Sequence, residues 1–230
     1  MIGGVNYYSG QVFDMQAICK VAHEAGAYCG FDLAHAMGNV SLNLHDWNVD
    51  FACWCSYKYL NSGPGGVAGI FVHEKHHKDD TIPRFNGWWG HNEKDRFKML
   101  PHFESMQTAE SWQLSNAPVF PMAVHKASLE IFDEAGINHL RNKSLQLTGY
   151  LAYLLELKQN THSFDILTPS DEEERGCQIS ISFKEKGREI FDRLTSEGII
   201  ADWREPGVIR VAPVPLYNSF ADVYNFVHLI

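Results

Sequence analysis

The chain has 230 residues, 45% hydrophobic and 13% aromatic, which suits one large or two small globular domains with a real core and not a disordered protein. Its net charge is −9 and no block of lysine or arginine occurs, so nucleic acid and anionic membranes find little to bind. No apolar run reaches bilayer-spanning length and the first residues lack both the basic start and the apolar core of a secretion signal, so the sequence reads as soluble and cytoplasmic, with small molecules or protein as partners.

Met1 is followed at once by Ile2-Gly3-Gly4-Val5, and the helical pattern from Ser219 runs to Ile230 without a polar tail, which reads as part of a longer fold. Asp14 is placed to cap a helix whose apolar positions Ala17, Ile18, Val21, Ala22 and Ala25 recur at helical spacing, with Gly26 to end it. Residues 27–31 then predict a short buried strand, which puts Asp32 at a strand's carboxyl end, where ligands bind in open α/β sheets. Phe51-Ala52-Cys53-Trp54-Cys55 is apolar on both faces and predicts a covered strand. Ser56-Tyr57-Lys58 lies just past its end, and Val67 to Val72 predicts a third strand behind the glycine run Gly63-Pro64-Gly65-Gly66. Lysine and aspartate can thus share one sheet edge.

From His73 to Pro101 the chain turns polar and irregular, and its histidines have none of the i, i+4 spacing of a metalloprotease helix, so no metal is expected. The five cysteines sit mostly among apolar neighbours and read as reduced, buried thiols. Two helices are predicted over 122–135 and 140–157, broken at Gly136, the first starting just after Pro118 and Pro121. A short strand at 164–167 follows, and then 177–183, whose strict alternation predicts a half-exposed strand. A helix near 187–197 and a strand at 208–211 complete a separate α+β layer, with the domain boundary near Pro118 to Pro121, giving domains 1–120 and 121–230.

A lysine amine is a poor nucleophile at neutral pH unless its pKa is lowered or it is held as a Schiff base. An aspartate at a neighbouring strand end can pair with a pyridinium nitrogen, the partner that lets a pyridoxal ring store charge. His35 can pack near such a ring, and Tyr57 can offer its hydroxyl to a phosphate or a reacting carbon. By spacing alone the pair is equally that of many α/β proteins.

The literal residues carry more. Phe31-Asp32-Leu33-Ala34-His35-Ala36, His45-Asp46-Trp47, Asp50 to Asn61, Gly87-Trp88, Leu114-Ser115-Asn116, Glu173 to Gln178 and Ile209 to Pro213 together resemble kynureninase, from about Gly4 to the last residue. The resemblance implies an α/β fold: part of the large domain of an aminotransferase-like, fold-type-I pyridoxal-phosphate enzyme, plus a smaller C-terminal α+β domain. It matches Lys58 to the Schiff-base lysine, Asp32 to the partner of the pyridine nitrogen, His35 to a cofactor contact and Tyr57 to a phosphate-binding tyrosine implicated in proton transfer. Trp88 and Asn116 match cofactor contacts that this dimeric family takes from the neighbouring subunit; Asn116 and Ser115 also match its substrate contacts. Arg210 resembles the arginine that clamps the substrate carboxylate. Gly3 stands where a phosphate-contacting serine is expected in the animal enzymes, and Tyr8 lies near another phosphate-facing segment. Read singly, Trp88 is also a core residue, Asn116 a turn former before Pro118 and Arg210 a member of a surface ion pair.

The implied reaction is hydrolysis of the β,γ carbon–carbon bond of L-kynurenine or 3-hydroxykynurenine to anthranilate or 3-hydroxyanthranilate and L-alanine, in tryptophan catabolism and pyridine-nucleotide synthesis. The family's main phosphate loop and ring-stacking aromatic precede the matched region. Two other readings stand beside this one: a non-catalytic partner for an intact subunit, and a cysteine desulfurase-like relative, for which Cys177 in its alternating strand is a poor nucleophile.

Overall fold

Short parallel strands build the part of the chain that carries Asp32 and Lys58. The computed structural model describes all residues from 1 to 230. Its first sheet consists of β1 (Ile2–Gly3), β2 (Gly30–Asp32), β3 (Phe51–Cys55) and β4 (Ala68–Val72) in that spatial order, with α1 (Met15–Glu24) connecting β1 to β2. The first three strands are parallel, and β4 returns antiparallel to β3 through five residue pairs from Phe51↔Val72 to Cys55↔Ala68. Phe31, Leu33 and Val49 are fully buried, and Ala52 nearly so. Three-residue strands need such burial, because their few ladder bonds hold little by themselves.

The helix α2 (Val119–Ala135) begins earlier than the sequence predicts and takes Pro121 into its first turn. The amides there have no intrahelical acceptor, so a proline removes no bond. The chain divides into two compact units within this helix, between Glu130 and Ile131, and residues 4–14 and 35–41 belong to the second unit. Pro121 thus does not interrupt α2.

In the second unit, α3 (Ile137–Gln159) precedes β5 (Phe164–Ile166), β6 (Ile179–Phe183), α4 (Gly187–Ser196), β7 (Asp202–Arg204), β8 (Val208–Val211) and α5 (Phe220–Leu229). The sheet is wholly antiparallel with order β5-β6-β8-β7. Leu147, Leu151 and Leu155 recur every four residues along α3 and meet Ile179, Ile181, Ile209, Leu194, Val223 and Phe226 in one core. A Ser219–Asp222 capping box starts α5. The alternation of β6 does not mark a solvent face. Ser180 is fully buried, donating to the Tyr8 carbonyl at 2.6 Å and accepting from Gln178 Nε2 at 3.0 Å, so segment 4–14 covers the polar side of the strand. No helix of the chain is long and apolar enough to cross a membrane.

Candidate active site

Register decides what stands together at the first sheet's carboxyl edge. Asp32 pairs with Cys53 on β3 and with Gly3 on β1, so Gly3, Asp32 and Cys53 form one row across three parallel strands. Side chains in register on neighbouring strands share a face. The Asp32 carboxylate is exposed; Oδ1 accepts from the Ala34 amide at 2.8 Å and Oδ2 makes no hydrogen bond within the chain.

Lys58 follows β3 by three residues, in a turn fixed from several sides. Ser56 Oγ lies 2.6 Å from Ser62 Oγ and donates to the Val67 carbonyl, and the Ser62 amide donates to the Ser56 carbonyl at 3.1 Å. The hydroxyl of Ser128, on α2, donates to the Leu60 carbonyl. A Cβ on Gly66 would come within 2.1 Å of Ser62 Oγ and 2.8 Å of Ser56 Oγ, so only glycine lets the loop close over this serine pair. Lys58 Nζ has no carboxylate partner; it lies 5.7 Å from the centroid of the Tyr57 ring. The Tyr57 phenol is pushed above its ordinary value, first by its hydrogen bond to Cys55, then by the charge of Cys55, by burial and by Asp32. Burial, and secondly the charge of Asp32, push the Cys53 thiol up as well. Both groups therefore stay neutral at physiological pH.

Trp88, Ser115 and Asn116 come together in a second place. A Cβ on Gly87 would stand 2.2 Å from Leu114 Cα and 2.4 Å from its carbonyl oxygen, so the two backbone segments touch directly. The Trp89 amide points to the Leu114 carbonyl at 3.5 Å, and Ser115 Oγ donates to Asn116 Oδ1 at 3.1 Å. Trp88 is 50% exposed, its indole meeting Phe97 edge-on at 5.6 Å, so it is not a core residue. No hydrogen bond, ion pair or ring contact joins this loop pair to Asp32 or Lys58.

In the second unit, Arg210 donates from Nε to Asp202 Oδ2 at 2.6 Å, with Nη2 2.5 Å from the same oxygen, and from Nη1 to the Tyr7 carbonyl. It is an ion-paired, well-oriented guanidinium with N–H groups remaining. His35 is half-buried, its carbonyl accepting from Asn39 Nδ2 at 2.9 Å, and Asn39 Oδ1 accepts from the Cys177 amide at 2.9 Å. The five cysteines form no disulfide.

Asp50 is the organising residue that sequence reading passed over. Its side chain is 3% exposed, yet Oδ2 accepts from the Cys29 amide at 2.6 Å and lies 2.8 Å from His23 Nε2, while Oδ1 lies 2.7 Å from both Lys75 Nζ and His76 Nε2. Burial alone would raise its pKa, but Lys75, the Cys29 amide and the two histidines outweigh burial and hold it well below the usual carboxylate range. One carboxylate thereby ties α1, the entries of β2 and β3, and the turn after β4. The only local signal was an aspartate opening an apolar strand.

The kynureninase C-terminal domain family model matches residues 140–230. Over 228 residues the chain is 57% identical to the kynureninase of Flavobacterium psychrophilum, covering 98% of this chain and 54% of that protein. It is 55% identical over 227 residues to the kynureninase of Koribacter versatilis (99% and 53%) and 48% identical over 240 to that of Nematostella vectensis (100% and 52%). The chain spans about half the length of the curated relatives it matches. Among solved structures, the Escherichia coli cysteine desulfurase CsdA superposes with a TM-score of 0.79 at 17% identity, over 99% of this chain and 57% of that one. The cystine C-S lyase C-DES gives 0.81 at 18% (99% and 59%), and the alanine–glyoxylate aminotransferase of Nostoc sp. gives 0.69 at 18% (99% and 60%). These distant likenesses show the fold, that of fold-type-I pyridoxal-phosphate enzymes, and leave the desulfurase reading no more than a fold relation. Along its whole length the chain is similar in sequence to kynureninases, and its residues 140–230 match the C-terminal domain of that family.

Proposed function

We propose that this chain supplies the Schiff-base lysine and ring-nitrogen partner of a pyridoxal-phosphate-dependent kynureninase, a cytoplasmic homodimer that hydrolyses L-kynurenine or 3-hydroxykynurenine to anthranilate or 3-hydroxyanthranilate and L-alanine. The observation that carries this reading is the pair at the carboxyl ends of adjacent parallel strands, Asp32 closing β2 and Lys58 three residues past β3: a carboxylate with one open oxygen and an amine with no ionic partner. Those groups fit the cofactor, which needs a carboxylate at its ring nitrogen and an uncommitted amine at its aldehyde. Gly3, in register with Asp32, adds no side-chain bulk beside that position.

When bound, pyridoxal phosphate supplies an electron sink for the bonds around the substrate's α-carbon. Asp32 would hold the ring nitrogen in its protonated form. Lys58 Nζ would hold the aldehyde carbon and, when free, would take the proton from the substrate's α-carbon. Tyr57, kept neutral by the effects that raise its pKa, donates its hydroxyl proton to the phosphate or to a reacting carbon. Arg210, oriented by Asp202, offers its remaining N–H groups to the substrate carboxylate, and His35, Trp88, Ser115 and Asn116 are further contacts, Trp88 and Asn116 serving the partner's site in the dimer.

Lys58→Ala tests this. Wild type is expected to develop the absorbance band that pyridoxal phosphate acquires on bonding to a lysine amine, and to release anthranilate from kynurenine. The variant is expected to do neither, and retention of either property by Lys58→Ala ends the proposal. Cofactor uptake by wild type without anthranilate release rejects the substrate assignment alone.

A further inference from the structure

The loop bearing Trp88 is held by a residue outside every motif named so far. Arg96 lies on the 3-10 turn Arg96–Lys98 and donates from Nη2 to the Trp89 carbonyl at 2.8 Å and the His91 carbonyl at 3.2 Å. Its guanidinium carbon stands 4.3 Å from the centroid of the Trp89 indole. Backbone and ring of Trp89 are therefore fixed by one planar group, which the point charge of a lysine could not do. The turn is itself anchored: the Arg96 amide donates to the Asn92 carbonyl at 2.9 Å, and the Asn92 amide donates to the Glu104 carbonyl at 2.7 Å.

This grip is poorly explained by stability alone. Arg96 Nε is buried without a hydrogen-bond partner, an unfavourable arrangement that an apolar residue of similar reach would avoid. What Arg96 supplies is position. Trp88 is half exposed, and what sets its place is the backbone held at Trp89 and the edge-on contact of its indole with Phe97, on the same turn as Arg96. On the other side, Gly87 lies flush against Leu114, two residues before Asn116, so the same grip bears on the segment that carries Asn116.

We propose that Arg96 is a positioning residue for the active site, acting through Trp89 to hold Trp88, and with it Asn116, in the pose that contacts cofactor or substrate. The inference rests on the reading of Trp88 as a ligand contact given above. Its test combines two readouts on the full chain and its Arg96→Lys, Trp88→Phe and double variants. In chains labelled with 5-fluorotryptophan, Trp88→Phe and Trp89→Phe identify two of the six tryptophan fluorine signals. Arg96→Lys is expected to shift or broaden those two and leave the other four in place. Titration with pyridoxal phosphate, followed by absorbance, is expected to show affinity about tenfold weaker in Arg96→Lys, with no further loss when the change is made in the Trp88→Phe chain.

Unmoved Trp88 and Trp89 signals, or a uniform shift of all six with a lowered melting temperature, would overturn the proposal. So would equal losses of affinity with and without Trp88, which place the action of Arg96 elsewhere. If Trp88→Phe itself leaves the affinity unchanged, or wild type takes up no pyridoxal phosphate, it is the reading of the site that fails, taking the functional half of the proposal with it. The fluorine signals then still decide whether Arg96 holds the loop.

Discussion

Changing Asp50 to asparagine tests whether one buried charge organises the amino ends of β2 and β3. The carboxylate accepts four contacts between 2.6 and 2.8 Å, two at each oxygen. Asparagine keeps a single acceptor; if that oxygen faces the Cys29 amide, the new NH2 group points at Lys75 and His76, two contacts at 2.7 Å in the wild type. Hydrogen bonds to charged groups contribute about 1.5–3 kcal/mol each, and removing one partner of a buried pair costs about 3–5 kcal/mol. Lys75 is one-third exposed and can turn to water, so the lower part of that range, about 3 kcal/mol, is expected. The assay is urea unfolding at constant ionic strength, repeated between pH 7 and pH 3.

Because the folded pKa of Asp50 is depressed, its contribution is present in full above the unfolded value, about 3.9, and fades as pH falls from there through the folded value. The gap between wild type and Asp50→Asn should therefore persist from pH 7 to 5 and narrow only below about 4. A loss under about 1 kcal/mol, the level of an exposed ion pair, would refute the reasoning. A gap that narrows between pH 7 and 5 would do so as well.

Gly87→Ala drives a Cβ to 2.2 Å from Leu114 Cα, where only backbone can yield; a loss of about 2–3 kcal/mol is expected in thermal melts, with a changed near-ultraviolet tryptophan signal. Ser128→Ala leaves the Leu60 carbonyl without its donor and should lower stability by about 1–2 kcal/mol, with faster proteolysis at the Gly63–Gly66 loop as the local readout. Ser180→Ala removes a fully buried hydroxyl that serves Tyr8 and Gln178, and a urea midpoint shift worth about 1–3 kcal/mol is expected, where an exposed serine would show almost none.

The elements that could be read from sequence are those whose signal is contiguous. The leucine stripe of α3 and the doubly apolar run of β3 declare themselves within one window, and Asp32 and Lys58 were legible because each sits next to such a run. β1 and β7, of two and three residues, carry no period to detect. In β6 the alternation was real but its meaning was not local: segment 4–14, more than 160 residues away, buries Ser180. The Asp50 hub escaped for the same reason, its histidine partners lying 27 and 26 residues away with no fixed spacing. Trp88 and Asn116 stand out as motif residues, but only the Gly87–Leu114 approach brings the segments that carry them together.

The antiparallel return of β4 has a meaning for Lys58 beyond sheet order. The residue sits in a connection, Ser56–Val67, whose two ends enter the same five-pair ladder and whose interior is cinched by the Ser56–Ser62 hydroxyl pair. Such doubly closed loops leave little chain entropy for the backbone to lose or regain. In the role proposed for Lys58, holding a carbonyl carbon and carrying a proton, it is an advantage that motion is confined to the four methylenes of the side chain. Anchored this way, the backbone acts as a fixed pivot, and the search for each new bonding partner is left to the side chain alone.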